Sequence, residues 1–185
     1  MKCTTTELPG VVIVDPMVHG DERGFFYESF NQARFAEHGI DARFVQSNVS
    51  RSRRGVLRGL HYQWPNPQGK LVSVLDGEVY DVAVDIRPGS PTFGRSVAVM
   101  LSGTNMRHLW IAPGYAHGFC VVSESATFVY QCTTLYDHAA DASIRWNDAR
   151  FAIDWPVSEP ELSTKDRQAP FLENIALDRL PAYRP

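Results

Sequence analysis

An all-β fold, an antiparallel sandwich or barrel with a few short helices, is what this sequence predicts, and three observations carry that expectation. Ten short β-rich runs follow one another between turn signals, hydrophobic alternation has period two, and helical periodicity is scarce. The runs fall at 11–14, 25–30, 43–49, 56–63, 71–75, 79–86, 96–101, 108–111, 119–122 and 126–134. Turns are written between them as Asp76-Gly, Arg87-Pro-Gly-Ser-Pro and Ala112-Pro-Gly, where glycine supplies positive φ and proline presets the bend. A helix is predicted over 31–38, closed by Gly39. After Trp146 the pattern loosens into proline-punctuated segments, with a helix start at Ser163-Thr-Lys-Asp166 and a tail ending Leu180-Pro-Ala-Tyr-Arg-Pro. From about residue 147 this reads as a wrap over one sheet, so the expectation is one domain over 1–185.

Length and composition agree. With 185 residues and 44% hydrophobic content, the chain can bury a sizeable core. A net charge of −3 argues against a nucleic-acid binder, although Arg51, Arg53, Arg54 and Arg58 form a local basic run. Such a run is either a solvated loop or, at Arg58, a contact for a small anion such as a diphosphate. The apolar run at 11–14 is far too short to span a membrane, and no signal-peptide pattern opens the chain, so a cytoplasmic protein is expected. Cys3, Cys120 and Cys132 lack metal or redox spacing.

The chemistry lies in an ordered set of proton handlers on these strands. Alternation puts His61 and Gln63 on one face of their strand, and Lys70 on the same face as Val72 and Val74. A lysine leading an apolar face either lines a cavity or sits as a surface charge at a strand end. Arg58 has the wrong parity to join His61 unless Gly59 sits in a bulge. His117, after a Pro-Gly turn, and Tyr130, alternating with Phe128 and Cys132, would each alone be ordinary structural residues. Together a histidine base, a lysine that steadies an oxyanion and a tyrosine that returns a proton describe inversion of a carbon beside a ketone.

The order of motifs resembles the dTDP-4-dehydrorhamnose 3,5-epimerase family, a metal-free branch of the cupin-like jelly rolls. The resemblance runs from Gly20-Asp-Glu-Arg-Gly-Phe-Phe26 through Gln46-Ser-Asn48, Arg58-Gly-Leu-His61, Gln68-Gly-Lys70 and Asp81-Val-Ala-Val-Asp-Ile86. It continues through Ser90-Pro-Thr-Phe-Gly94, Ala116-His-Gly-Phe119, Trp146-Asn-Asp148 and Leu162-Ser-Thr-Lys-Asp166. It implies a role for each position. His61 would remove the C5 and then the C3 proton, Asp166 would hold its tautomer, Lys70 would stabilise the enolate oxygen, and Tyr130 would deliver a proton to the opposite face. Arg23, Phe26, Glu28, Gln46, Asn48, Arg58, His117, Asp141 and Lys165 would bind the nucleotide diphosphate or sugar, and Tyr136 would pack beside the base. Asp141 stands where glutamate is more usual, and Ala142 where glycine is common. The resemblance also implies no metal, no organic cofactor, and a homodimer whose N-terminal strands cross to the partner.

Two rival readings follow from the residues. A metal-dependent cupin would show His-x-His and a carboxylate, where this chain has His61-Tyr-Gln63 and then Lys70. A sugar-binding module without catalysis would have no need of an acid opposite a base. For Asp166 the alternative is a helix-capping role, since Ser163-Thr-Lys-Asp166 fits a capping box.

Overall fold

The computed structural model describes residues 1–183; the last two residues of the predicted tail lie outside the described residues. Thirteen strands are present among the described residues: β1 (Lys2–Thr5), β2 (Val11–Asp15), β3 (Val18–Asp21), β4 (Gly24–Tyr27), β5 (Gln46–Arg53), β6 (Leu57–Gln63), β7 (Lys70–Asp76), β8 (Glu78–Asp85), β9 (Ser96–Ser102), β10 (His108–Ile111), β11 (Tyr115–Val121), β12 (Ser125–Cys132) and β13 (Asp141–Ser143). Two helices, α1 (Gln32–Glu37) and α2 (Thr164–Gln168), and three single 3₁₀ turns complete the described chain. One sheet has the order β1-β2-β10-β7-β12-β5 and a second the order β13-β6-β11-β8-β9, while β3 and β4 form a separate hairpin. Every ladder is antiparallel.

The inner faces of the two sheets meet in one apolar cluster. Val72, Val74, Leu109, Ile111 and Phe128 come from the first sheet, and Val79, Ala83, Tyr115, Phe119 and Val121 from the second. The Asp76-Gly77 turn passes the chain between the sheets. Gly77 has φ +81°, and a Cβ there would stand 2.0 Å from the Ser125 carbonyl oxygen, so no other residue fits.

Outer faces are covered by different segments. Phe151, Leu172 and Leu180, all after β13, pack on Leu60, Tyr62, Val82 and Val84 behind the second sheet. Phe35 of α1 and Ile40 pack with Val14, Leu71 and Trp110 behind part of the first. Each such large side chain contributes about 2 kcal/mol of transfer free energy. Helix α1 starts where Asn31 accepts a hydrogen bond from the Arg34 amide and ends before Gly39, as its sequence predicts.

Several bounds differ from the sequence expectation for physical reasons. Strands β1, β3 and β13 carry no alternation to read, since they are short and mostly solvent-facing or follow polar residues. The run expected at 25–30 ends at Tyr27, because Phe30 turns inward against Phe35 and Phe44. Strand β5 starts and ends later than expected, running to Arg53 opposite β12. Strand β11 starts four residues before its expected position and is buried along its whole length, which erases the two-residue period.

Candidate active site

Register settles which side chains share the interior. On the first sheet the row Gln46–Cys132–Lys70 lies beside the row Asn48–Tyr130–Val72, and the inward face of Val72 carries Gln46, Asn48, Lys70 and Tyr130 with it. On the second sheet His61 is the direct cross-strand partner of His117, whose neighbours two along, Tyr115 and Phe119, belong to the same inner cluster. Histidine and tyrosine therefore project from facing sheets. Between them is a cavity of about 170 Å³, lined among others by Gln46, Asn48, His61, Gln63, Gln68, Lys70 and Tyr130, with Tyr136, Asp141 and Lys165 at its rim.

Gly59 makes the geometry of β6 work. The β6–β11 ladder slips between His117 and Phe119, which pair with His61 and Arg58 respectively, so the strand holds the bulge that the parity of Arg58 demanded. At φ +129° Gly59 lies where a Cβ would stand 2.6 Å from the Gly118 Cα. Arg58 and His61 consequently share a face. Arg58 itself is exposed and donates from Nε to Ser52 Oγ at 3.1 Å.

His61 and Asp166 are joined at 2.5 Å between Nε2 and Oδ1, across 105 residues of sequence. Asp166 is 2% exposed. Burial opposes its charge, but the hydrogen bonds from His61, from the Ser163 hydroxyl and from the Gly59 amide hold its carboxyl below the usual range. An ionised carboxylate only accepts, so the imidazole proton sits on Nε2 and Nδ1 keeps the basic lone pair. The capping alternative and the dyad coexist. Ser163 Oγ accepts from the Asp166 amide at 3.1 Å and donates to Asp166 Oδ2 at 2.9 Å, so the start of α2 aims the carboxylate.

Burial pushes the Tyr130 hydroxyl above its ordinary pKa, keeping its proton available as an acid. Burial also lowers the proton affinity of Lys70, against the pull of Cys132, Asp81 and Asp141. Gln46 ties the walls to the rim: its Nε2 donates to Asn48 Oδ1 at 3.0 Å and its Oε1 accepts from the Tyr136 amide at 2.8 Å. Asp141 accepts from the Tyr136 hydroxyl at 3.0 Å and from Lys165 Nζ at 2.5 Å.

Not every residue expected at the site lies in this cavity. Arg23 and Phe26 sit on the exposed β3–β4 hairpin, with Arg23 paired to Asp21 and Phe26 69% exposed. Glu28 is engaged by Arg34 and Asn31. His117 is buried, with Nε2 held between the two oxygens of Asp81 at 3.0 and 3.1 Å. Sequence reasoning gave no role to Gln63, Gln68 or Asp81. Gln63 donates to the Asn66 carbonyl at 2.7 Å and accepts from the Asp137 amide at 2.9 Å, so its amide braces the cavity wall. Parity with His61 was the signal for Gln63, and a carboxylate at an inward position of an apolar strand was the signal for Asp81.

These features define a class: an all-β, cupin-like jelly roll with a histidine, a lysine and a tyrosine gathered in a cavity between its sheets. The family model for dTDP-4-dehydrorhamnose 3,5-epimerase matches residues 5–174, and the chain belongs to that family. It is 54% identical over 175 residues to the dTDP-4-dehydrorhamnose 3,5-epimerase of Salmonella typhimurium, covering 93% of this chain and 96% of that one. The fold superposes with a TM-score of 0.97 on a dTDP-6-deoxy-D-glucose-3,5-epimerase from Legionella pneumophila in complex with dTDP-4-keto-L-rhamnose, at 53% identity and over 100% and 99% of the two chains. A 3'-monoepimerase from Streptomyces bikiniensis in complex with dTDP-quinovose is also similar, at TM-score 0.89 and 36% identity over 96% and 92% of the chains.

Proposed function

We propose that this enzyme converts dTDP-4-dehydro-6-deoxy-D-glucose to dTDP-4-dehydro-L-rhamnose by inverting C5 and C3 beside the C4 ketone. The observation that carries the reading is the placement of His61 and Tyr130 on facing sheets, with Lys70 in the same cavity. His61 Nδ1 takes the C5 proton, and the bonding pair moves into the C4 carbonyl to give an enolate. The Lys70 ammonium stabilises that oxyanion, a contribution of about 3 kcal/mol for a well-placed donor. Tyr130 then gives its proton to the opposite face of C5, and both groups reset through solvent before the cycle repeats at C3. Asp166 fixes the His61 tautomer. Gln46, Asn48, Arg58, His117, Asp141 and Lys165 bind the sugar or diphosphate, and Tyr136 packs beside the base. The reaction as written uses no metal and no organic cofactor.

Arg23, Phe26 and Glu28 act in the site of a second copy, across a homodimer in which the N-terminal strands cross over. Supporting this, Phe25 and Phe26 are 61% and 69% exposed on the hairpin, and Val49 and Leu75 are 67% and 58% exposed on strands of the first sheet. Residues 1–185 act as one domain in the cytoplasm, serving rhamnose synthesis for surface polysaccharide; none of the described helices is long and apolar enough to cross a membrane.

NMR of the keto-sugar nucleotide with the enzyme in heavy water tests substrate, reaction and number of centres at once. Deuterium is expected at C3 and C5, and its absence from both would end the reading. A second reading, epimerisation at C3 alone, is favoured by the likeness to the Streptomyces bikiniensis 3'-monoepimerase. Label confined to C3 would select it.

A further inference from the structure

Asp81 is fully buried on the inner face of β8, between Val79 and Ala83 of the interior cluster. Taking a carboxylate out of water costs several kcal/mol unless a positive charge compensates it. Its hydrogen-bond partner is His117 on the adjacent strand, through Nε2 at 3.0 and 3.1 Å. That partner supplies no positive charge. Burial drives the His117 imidazole below its ordinary range, with Lys70 and His61 pushing the same way, and Asp81 only partly offsets this. A neutral ring donating from Nε2 leaves the Asp81–His117 pair with a net charge of about −1.

The other charged and titratable groups around Lys70 are already accounted for. Asp141 is neutralised by Lys165 at 2.5 Å. Asp166 is bound to His61 and is not among the charges that act on Lys70. Burial keeps the Cys132 thiol and the Tyr130 phenol protonated. Of the carboxylates that act on Lys70, Asp81 is thus the one whose charge is not already met by another cation.

Resting on the epimerase reading, we propose that Asp81 is a positioning residue for the reaction: held by His117, it supplies the buried negative charge that keeps the Lys70 ammonium protonated beside the sugar's C4 oxygen. The two histidines, cross-strand partners, then divide the labour. His61, partly open to the cavity, exchanges protons with substrate, whereas His117 stays neutral and orients a carboxylate.

The test is the pH profile of kcat for Asp81→Asn, which keeps an oxygen to accept from His117 Nε2. Losing a nearby opposite charge moves a lysine's titration by about 1 unit or more. The alkaline limb is expected to move to lower pH by about that amount, so that above it turnover falls roughly tenfold while at lower pH it approaches wild type. Affinity for dTDP should stay within about twofold, since the asparagine oxygen still holds His117 in place. A variant with a uniformly lower kcat and an unmoved limb, or with a wild-type profile, overturns the proposal. A measurement on the wild-type enzyme stands whether or not the variant folds: carbamylation of Lys70 by cyanate, followed by mass spectrometry across pH. A midpoint alkaline of neutrality, which leaves the amine an ammonium during turnover, is expected, and one acid of neutrality overturns the assignment. Failure of the wild-type enzyme to exchange deuterium would instead sink the epimerase reading, leaving the cyanate midpoint to judge Asp81 by itself.

Discussion

Two carboxylates four residues apart on β8, Asp81 and Asp85, are both fully buried, yet their surroundings differ in kind. Asp85 accepts from Arg87 Nε and NH2 at 2.9 and 2.7 Å, from Ser90 Oγ and Thr92 Oγ1 at 2.6 Å each, and from the Arg87 amide at 3.0 Å. The Arg87 guanidinium in turn lies 4.2 Å from the Tyr115 ring centroid. Every lone pair has a donor and the charge has its counter-charge. Among the described residues Asp81 has a neutral histidine alone for a side-chain hydrogen-bond partner. The difference teaches that a closed polar network holds a turn in place, while an open one leaves a charge free to act on something across the cavity.

The largest expected effect breaks the catalytic end without touching the structural one. His61→Asn should lower turnover per folded molecule by on the order of 10³-fold, the scale of general-base catalysis. Solvent deuterium entering the sugar at the wild-type rate would remove His61 from the mechanism. Asp85→Asn should do the converse. Removing one partner of a buried ion pair costs about 3–5 kcal/mol, so urea titration should show that loss while kcat per folded molecule holds. A stability loss below about 1 kcal/mol would mean that Arg87 finds another partner. Tyr130→Phe comes next: about 10²-fold less epimerised product is expected, with His61-dependent exchange of deuterium outlasting net inversion. Equal loss of exchange and inversion would place both proton transfers on one residue.

The smallest effect near neutral pH concerns His108, a buried imidazole whose Nε2 has no hydrogen-bond partner among the described residues. Burial lowers its pKa from 6.5 to about 4. The unfolded chain therefore takes up this proton at higher pH than the folded one, so stability is complete above pH 6.5 and is lost as pH falls toward 4. The loss is about 1 kcal/mol at pH 6 and about 3 kcal/mol near pH 4. His108→Gln should flatten that slope in denaturant melts at successive pH values, and an unaltered slope would assign the acid sensitivity to Asp85 and other paired carboxylates.

Much of this architecture was legible in residue order. Alternation in β6, β7 and β12 grouped His61 with Gln63, Lys70 with Val72 and Val74, and Tyr130 with Phe128 and Cys132, while the ladders decide which of these faces point inward. The parity conflict at Arg58 pointed to a bulge at Gly59 that the ladder contains. The Asn31 cap and Gly39 stop gave α1 to within a residue. What stayed hidden depends on distant partners. Nothing local to His117 says that it lies in the middle of a strand buried on both faces, because full burial removes the alternation that reveals strands. Nor does Asp166 announce that one carboxylate serves both a helix start and an imidazole, since the second role exists only across the fold.

That reach across the fold has a consequence for biosynthesis of the protein itself. The contact between His61 and Asp166 closes a loop of 105 residues, and α2 emerges from the ribosome after all thirteen strands. The sandwich can therefore assemble first around an imidazole with no tautomer fixed. On the proposed mechanism, proton-transfer competence arrives only once α2 docks, as a late act of maturation.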